Sequence, residues 1–142
     1  MRYKNVLLTA TVVLFLIAFL TITTSFKSHT PTGGTPVTIT AVYDFSTFPD
    51  VFGSFTATGA LDISGKTEMI VGPNQNGVRA HCIVTLTTSQ GTITIHQECE
   101  FSSPIPRGSW QIVSGTGAYA NLKGNGSLTM PPDTEAMEGS IY

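Results

Sequence analysis

The sequence predicts an all-β fold: an eight-stranded up-and-down antiparallel barrel preceded by an N-terminal hydrophobic helix. From residue 37 onward, apolar and polar residues alternate with the period of half-buried strands. Turn-forming residues separate these stretches at short intervals, and no segment between them is long enough for a crossover helix. Charged residues make up only 11% of the chain, which favours strands and tight turns over surface helices. The short turns favour an up-and-down barrel over a Greek-key sandwich.

Residues 1–26 are predicted to be a signal peptide or a membrane anchor. Arg2 and Lys4 precede residues 6–26, which carry no charge, and a positive start before an apolar run is typical of an export signal. The run also has the roughly 20 residues that a membrane-spanning helix needs. Cleavage and retention therefore both stay open. In either case the domain is expected outside the cytoplasm, secreted or membrane-anchored.

Residues 27–36 form a Pro- and Gly-rich linker, and residues 37–142 form the predicted barrel domain. A turn is predicted at Ser64-Gly65 and one helical turn at 118–122. The predicted strands are 37–45, 54–63, 67–71, 78–88, 92–101, 109–114, 124–130 and 135–142.

The two longest strands predict a central hairpin with Gln90-Gly91 as its loop. This register places Cys82 opposite Cys99 on a mostly apolar face that should point inward. The candidate cavity-lining residues on that face are Val84, Leu86, Ile93, Ile95 and Gln97.

Two directly opposed cysteines in an exported domain predict a disulfide between Cys82 and Cys99. The alternative is a pair of buried free thiols, which pack as small apolar side chains. No CxxC motif is present, so a redox-active pair is not indicated.

The other face of the hairpin is polar and should meet solvent. It carries His96, Glu98 and Glu100 at alternate positions, with His81 expected opposite Glu100. Side chains at this spacing are weak candidates for a zinc site, because four-coordinate geometry is hard to satisfy on a flat exposed sheet. We expect surface ion pairs there, and neither a metal nor a cofactor.

Four glycines are assigned structural roles: Gly115, Gly117, Gly124 and Gly126. A dinucleotide site would need a full helix after such a turn, and none is predicted. The glycines are instead expected to supply positive φ at a corner and a bulge where a barrel strand bends. No hydrolase, zinc-protease or nucleotide-binding motif occurs, and a net charge of −2 excludes the basic stripe of a nucleic-acid-binding protein.

The segment from Trp110 to Leu128, with Gly115-Thr116-Gly117-Ala118-Tyr119 at its centre, resembles the glycine corner of allene oxide cyclases and plant dirigent proteins. Residues 53–59 resemble an early strand of small secreted bacterial proteins of that superfamily. The resemblance implies an eight-stranded barrel with an apolar cavity, often oligomeric. It assigns no catalytic residue, because the acidic and arginine pocket residues of those enzymes match no motif here.

The sequence therefore favours a non-catalytic extracytoplasmic barrel that binds a small apolar ligand or a surface partner. The predicted interior is mainly apolar, and an eight-stranded barrel has room for one small ligand. The first alternative is a cofactor-free cyclase or isomerase, which requires an inward ionisable group with a perturbed pKa. The second alternative is a structural envelope protein. A homo-oligomer is compatible with each of these roles.

Overall fold

The computed structural model describes residues 33–73 and 77–142, which form a closed barrel of eight antiparallel strands. Each strand pairs with the next along the chain, and the last pairs with the first. The strands are β1 (Thr35–Asp44), β2 (Asp50–Gly59), β3 (Ile63–Val71), β4 (Arg79–Thr88), β5 (Gly91–Glu100), β6 (Arg107–Gly115), β7 (Gly124–Thr129) and β8 (Thr134–Ile141). The predicted eight-stranded up-and-down barrel is confirmed.

Helical structure in this part of the chain is limited to two short 3₁₀ helices, Phe45–Thr47 and Gly117–Tyr119. The second falls where a helical turn was predicted. The predicted hydrophobic helix, in residues 1–26, lies outside the described residues. Within residues 33–73 and 77–142, no helix has the length and hydropathy needed to cross a membrane.

The up-and-down order assigns every connection to one of two barrel ends. The connections β1–β2, β3–β4, β5–β6 and β7–β8 lie at one end, called the mouth below. The connections β2–β3, β4–β5 and β6–β7 lie at the far end, together with the start of β1 and the end of β8. The chain therefore enters and leaves the barrel at the end opposite the mouth.

The core consists of the inward residues of all eight strands, as the alternation predicts. In β1, Val37, Ile39, Ala41 and Tyr43 are buried, while most of the residues between them are exposed. Trp110 is one of the largest buried side chains of the core, and its indole Nε1 donates to the Ser127 and Glu138 carbonyls of β7 and β8 at 3.1 and 3.3 Å. These two bonds satisfy the indole N–H inside the core.

The predicted turn at Ser64-Gly65 is wrong, because both residues lie within the continuous strand β3. The chain turns earlier, at residues 60–62. Gly65 serves instead as a site of close approach. A Cβ placed there would lie 3.1 Å from the Phe55 ring and would overlap the Thr87 carbonyl. The glycine is needed because neighbouring groups fill the space that a side chain would take.

The β4–β5 hairpin keeps the predicted faces but not the predicted register. Its loop is Ser89-Gln90, since Thr88 pairs with Gly91. Thr88 Oγ1 accepts from Gln90 N at 3.0 Å and donates to the Gly91 carbonyl at 3.2 Å, which closes the turn one residue early. Gly91 follows with a φ of 143° that glycine adopts readily.

The shifted register moves every predicted cross-strand pair by two residues, so both faces are preserved. Cys82 lies opposite Gln97 and Cys99 lies opposite Ala80, which corrects the predicted Cys82–Cys99 opposition. On the outer face, His81 lies opposite Glu98 and not opposite Glu100.

The far end is closed by the glycine corner. Gly117 has a φ of 59°, and Ala118 N donates to the Gln90 carbonyl at 3.0 Å, so the corner binds the β4–β5 loop. The buried Tyr119 shares a hydrogen bond of 3.1 Å with Thr88 Oγ1 through its hydroxyl. Gly115, Gly124 and Gly126 do not have the positive φ that was expected of them, and instead allow close backbone approach. The irregularity in β6 lies at Val113, two residues before Gly115.

Candidate functional site

An apolar cavity of about 250 Å³ opens at the mouth of the barrel and is called the mouth cavity below. Its rim comes from three connections: Phe45 and Phe48 after β1, Phe101 and Pro106 between β5 and β6, and residues 130–133 before β8, with Thr134 at the start of that strand. Its inner walls are inward side chains of the strands: Tyr43, Met69, Val71, Cys82 and Glu135. The volume is at the small end of the range for ligand pockets.

Larger depressions occur on the outer wall of the barrel. One of about 770 Å³ lies between His96, Glu98, Gln111 and Glu138. Its lining mixes polar and charged side chains with apolar ones, whereas the mouth cavity is lined mainly by apolar side chains. An apolar molecule gains more from burial against apolar walls, so the mouth cavity is the better candidate site for such a molecule.

A buried carboxyl group lies at the inner wall of the mouth cavity. Glu135 is only 1% exposed, although ionised carboxylates are rarely buried without a cationic partner. Tyr43 donates to Glu135 Oε2 at 2.9 Å, and Gln97 Nε2 donates to Glu135 Oε1 at 2.6 Å. The Tyr43 hydroxyl also lies 3.5 Å from Thr67 Oγ1. The carboxyl is thus held by side chains from β1 and β5.

Burial raises the pKa of Glu135 from 4.5 to about 7, while the hydrogen bonds from Tyr43 and Gln97 act in the opposite direction. Burial and the nearby Glu135 carboxyl together raise the pKa of Tyr43 above its usual value of 10. Tyr43 is therefore a neutral donor at every physiological pH, and Glu135 can both hold and release a proton near neutrality.

The predicted disulfide between Cys82 and Cys99 is not formed. Both are buried free thiols, on adjacent strands but offset by two residues, and they are close without reaching disulfide distance. Diagonal neighbours have Cα atoms about 7–8 Å apart, beyond the usual disulfide range. The interaction between the two neighbouring thiols lowers the pKa of Cys82 and raises that of Cys99. Of the two, Cys82 lines the mouth cavity.

The predicted lining residues Val84, Leu86, Ile93 and Ile95 are fully buried and fill the packed barrel interior. The mouth cavity is bordered by other side chains. Gln97 is also fully buried, and its amide is paired as expected of a buried amide: besides Glu135, Nε2 lies 3.4 Å from Met137 Sδ.

Glu135 is the residue that the sequence reasoning missed. It occupies the first buried position of β8 and lies on the same face as Met137. The alternation in the last strand could have indicated that Glu135 points inward, because Glu135 lies two residues before the apolar Met137. Glu138 lies on the opposite face and is exposed.

The predicted weak metal candidates lie on the outer wall. His81 Nδ1 is 4.0 Å from Glu98 Oε1, and the His81 and His96 rings stack with centroids 5.7 Å apart. Glu100 accepts from Ser102 Oγ at 2.6 Å. In the part of the chain that the structure describes, no three His, Cys, Asp or Glu side chains are grouped to hold a metal ion.

Comparisons with known proteins identify no relative: no protein-family model, no curated protein and no solved structure matches this chain.

Proposed function

We propose that this protein binds one small, mainly apolar molecule in the mouth cavity and recognises a hydroxyl or carbonyl group on it through Glu135. The observation that supports this function is a buried carboxyl at the inner wall of an otherwise apolar cavity. Apolar walls provide most of the binding free energy, and one polar group fixes the orientation of the ligand. The sequence resemblance to the allene oxide cyclase and dirigent superfamily agrees with a ligand-binding barrel.

The Glu135 carboxyl can serve either kind of polar group. When it holds a proton it can donate to a ligand carbonyl, and when ionised it can accept from a ligand hydroxyl. Its pKa of about 7 keeps both forms populated near neutral pH. Phe45, Phe48 and Phe101 are exposed at the rim, so an apolar molecule that enters the cavity can contact apolar side chains at its entrance.

Titration with benzylacetone, an apolar ketone, tests this proposal. We expect saturable one-to-one binding by calorimetry to the purified full-length protein. Phe48→Ala should weaken the affinity by about fivefold because it removes apolar contact at the rim. Phe52→Ala is the matched control, since Phe52 is also an exposed phenylalanine but lies on the outer wall. Absence of binding, or equal losses in both variants, would contradict the proposal.

A second function, cofactor-free isomerisation or cyclisation, is favoured by the pKa of Glu135. A group that exchanges a proton near the working pH is suited to general acid–base catalysis. The sequence pointed away from this alternative because no ionisable residue was identified on an inward face, and Glu135 now supplies one.

Deuterium exchange separates this function from simple binding. In heavy water, a Glu135 base would catalyse deuterium incorporation at the carbons beside the benzylacetone carbonyl, observed by NMR. Glu135→Gln should abolish this exchange while leaving the cavity shape intact. If benzylacetone binds but exchanges no faster than in buffer, the protein is a binding protein for this class of ligand.

We also propose that the domain acts outside the cytoplasm, on the basis of Arg2, Lys4 and the uncharged run at residues 6–26. Determination of the N-terminal residue of the protein isolated from its host would distinguish a cleaved signal peptide from a retained anchor.

A further inference from the structure

We propose that Cys82 is a covalent capture site for apolar α,β-unsaturated carbonyl compounds that enter the mouth cavity. The inference rests on the proposed ligand-binding function and specifies one chemical class of ligand. Cys82 lines the mouth cavity together with Met69, Val71 and Glu135, whereas its neighbour Cys99 does not.

The surroundings of Cys82 favour reaction at this sulfur. The interaction with the neighbouring Cys99 thiol lowers the pKa of Cys82 and raises that of Cys99. Burial and the nearby Glu135 act in the opposite direction on Cys82. In the structure the Cys99 thiol donates to Gln97 Oε1, with Sγ and Oε1 4.0 Å apart, and Cys99 does not line the cavity. The nucleophile of such a pair is therefore the thiol that faces the cavity.

The ligand class follows from the other groups in the cavity. An apolar carbon skeleton suits walls formed by phenylalanine, proline and methionine side chains. A carbonyl oxygen suits the protonated form of Glu135, which can donate a hydrogen bond. Conjugation of that carbonyl with a C=C bond makes the alkene carbon farther from the carbonyl, the β-carbon, an electrophile for a soft sulfur nucleophile. An enone therefore meets the apolar wall, the carboxyl and the thiol at once.

The reaction is a balanced conjugate addition. The Cys82 sulfur forms a bond to the β-carbon, and the C=C electron pair shifts to give an enolate. The α-carbon then takes a proton from the Glu135 carboxyl, and the proton originally on the Cys82 thiol replaces it. The net change adds S–H across the C=C bond and requires no oxidant, reductant or second reactant.

Benzylideneacetone tests the inference, and its saturated analogue benzylacetone is the unreactive control of similar shape. Intact-mass measurements on the full-length protein should show one adduct with the mass of one enone, mapped to Cys82. The rate should saturate with enone concentration, fall when benzylacetone competes, and exceed the rate in urea-unfolded protein by about tenfold or more. Cys82→Ser should abolish the adduct, and Cys99→Ser should retain it.

The two proposals fail in different ways. If benzylacetone binds but benzylideneacetone forms no adduct on Cys82, the capture site is wrong and the binding function stands. If neither compound binds, both proposals are wrong. An adduct that forms equally on Cys99, or as fast in the unfolded chain, would show ordinary thiol reactivity and would overturn the capture site.

Discussion

Glu135 illustrates how the interior of a barrel sets the chemistry of a single residue. Its carboxyl accepts two hydrogen bonds, from Tyr43 and Gln97, and both favour the ionised form. Removal from water favours the neutral form more strongly, so the pKa rises to about 7. The position of this one side chain turns an apolar cavity into a site that can recognise a polar group.

The first prediction concerns the pH dependence of stability. The pKa of Glu135 is higher in the folded chain, about 7, than the ordinary value of 4.5 that applies on unfolding. Between these values the folded state binds more protons, so the free energy of unfolding should fall as pH rises from 4.5 to 7. The loss attributable to this residue is about 3 kcal/mol. Urea unfolding of wild type and Glu135→Gln at several pH values measures it.

The glutamine variant keeps a neutral side chain of the same shape, so its stability should lack this decline. It should equal wild type within about 1 kcal/mol at pH 4.5 and be more stable at pH 8. The same decline in both proteins would assign the effect to another group.

At the scale of single residues, the sequence predicted which faces are buried but not which buried residue carries the chemistry. The alternation correctly placed Val84, Leu86, Ile93 and Ile95 inside. The alternation alone did not identify Glu135 as buried, because glutamate side chains are usually exposed. Hydrogen bonds from Tyr43 and Gln97 stabilise the buried carboxyl. Those partners lie far away in sequence, so the local pattern could not reveal them.

Prolines are concentrated at the mouth of the barrel. Six of the eight prolines lie in or beside connections at the mouth, namely Pro49, Pro73, Pro104, Pro106, Pro131 and Pro132. Proline fixes φ and lowers the number of conformations available to a loop. The far end instead uses glycines, such as Gly91 and Gly117, for tight backbone contact. A rim with few conformations suits the proposed binding of a ligand in a preformed cavity.

The second prediction concerns the glycines that surround Trp110. A Cβ at Gly139 would lie 2.6 Å from the Trp110 ring and would overlap the Asn125 carbonyl. Gly139→Ala should therefore force β7 and β8 apart and lower the free energy of unfolding by about 2 kcal/mol. Urea unfolding followed by Trp110 fluorescence measures the loss. Ser127→Ala, at an exposed position of β7, is the control and should stay within about 0.5 kcal/mol of wild type.

The third prediction concerns the turn that sets the hairpin register. Thr88→Val removes the hydroxyl that bonds Gln90 N, the Gly91 carbonyl and the Tyr119 hydroxyl. We expect a loss of about 1 kcal/mol or more in the free energy of unfolding. Thr87→Val is the matched control, because Thr87 is exposed on the outer face and makes no such bonds. Equal stabilities of the two variants would show that the hydroxyl does not fix the turn.

This turn also explains why the alternation predicts the correct faces while the loop assignment predicts an incorrect register. An Asn-Gly or Asp-Gly loop has one strongly favoured pairing, whereas Ser89-Gln90-Gly91 permits the glycine inside the loop or after it. The hydrogen bonds of the Thr88 hydroxyl select the second arrangement. A turn that is closed by a side-chain hydrogen bond has no repeating sequence pattern from which it could be predicted. The choice alters pairing by two residues, which separates Cys82 from Cys99 while keeping both inward.

At the scale of the whole molecule, closure of the sheet leaves no free strand edge in the described residues, so all eight strands support a single interior. Closure and chain order were predictable from the number of strands and the short connections. The cavity was not, because it depends on how connections that are distant in sequence meet at one end. Phe48, Phe101 and Pro131, for example, come from three different connections.

The fourth prediction follows from the strand count. Because the number of strands is even, the polypeptide arrives and departs on the side away from the cavity. Attachment of the protein to a sensor surface through a tag after Tyr142 should leave its affinity for benzylacetone unchanged. Attachment through Ile105→Cys, at an exposed position beside the cavity, should block binding. Surface plasmon resonance compares the two, and equal signals from both would contradict the assignment of the entrance.

The same geometry makes the two ends of the barrel functionally unequal. A group joined before β1 or after β8 is attached at the end opposite the mouth cavity, so the opening of the cavity points away from the attachment. A fusion partner, a solid support or a lipid bilayer attached at that end would leave the mouth cavity facing the surrounding medium. Small molecules would then reach it from solution and not from the supporting surface.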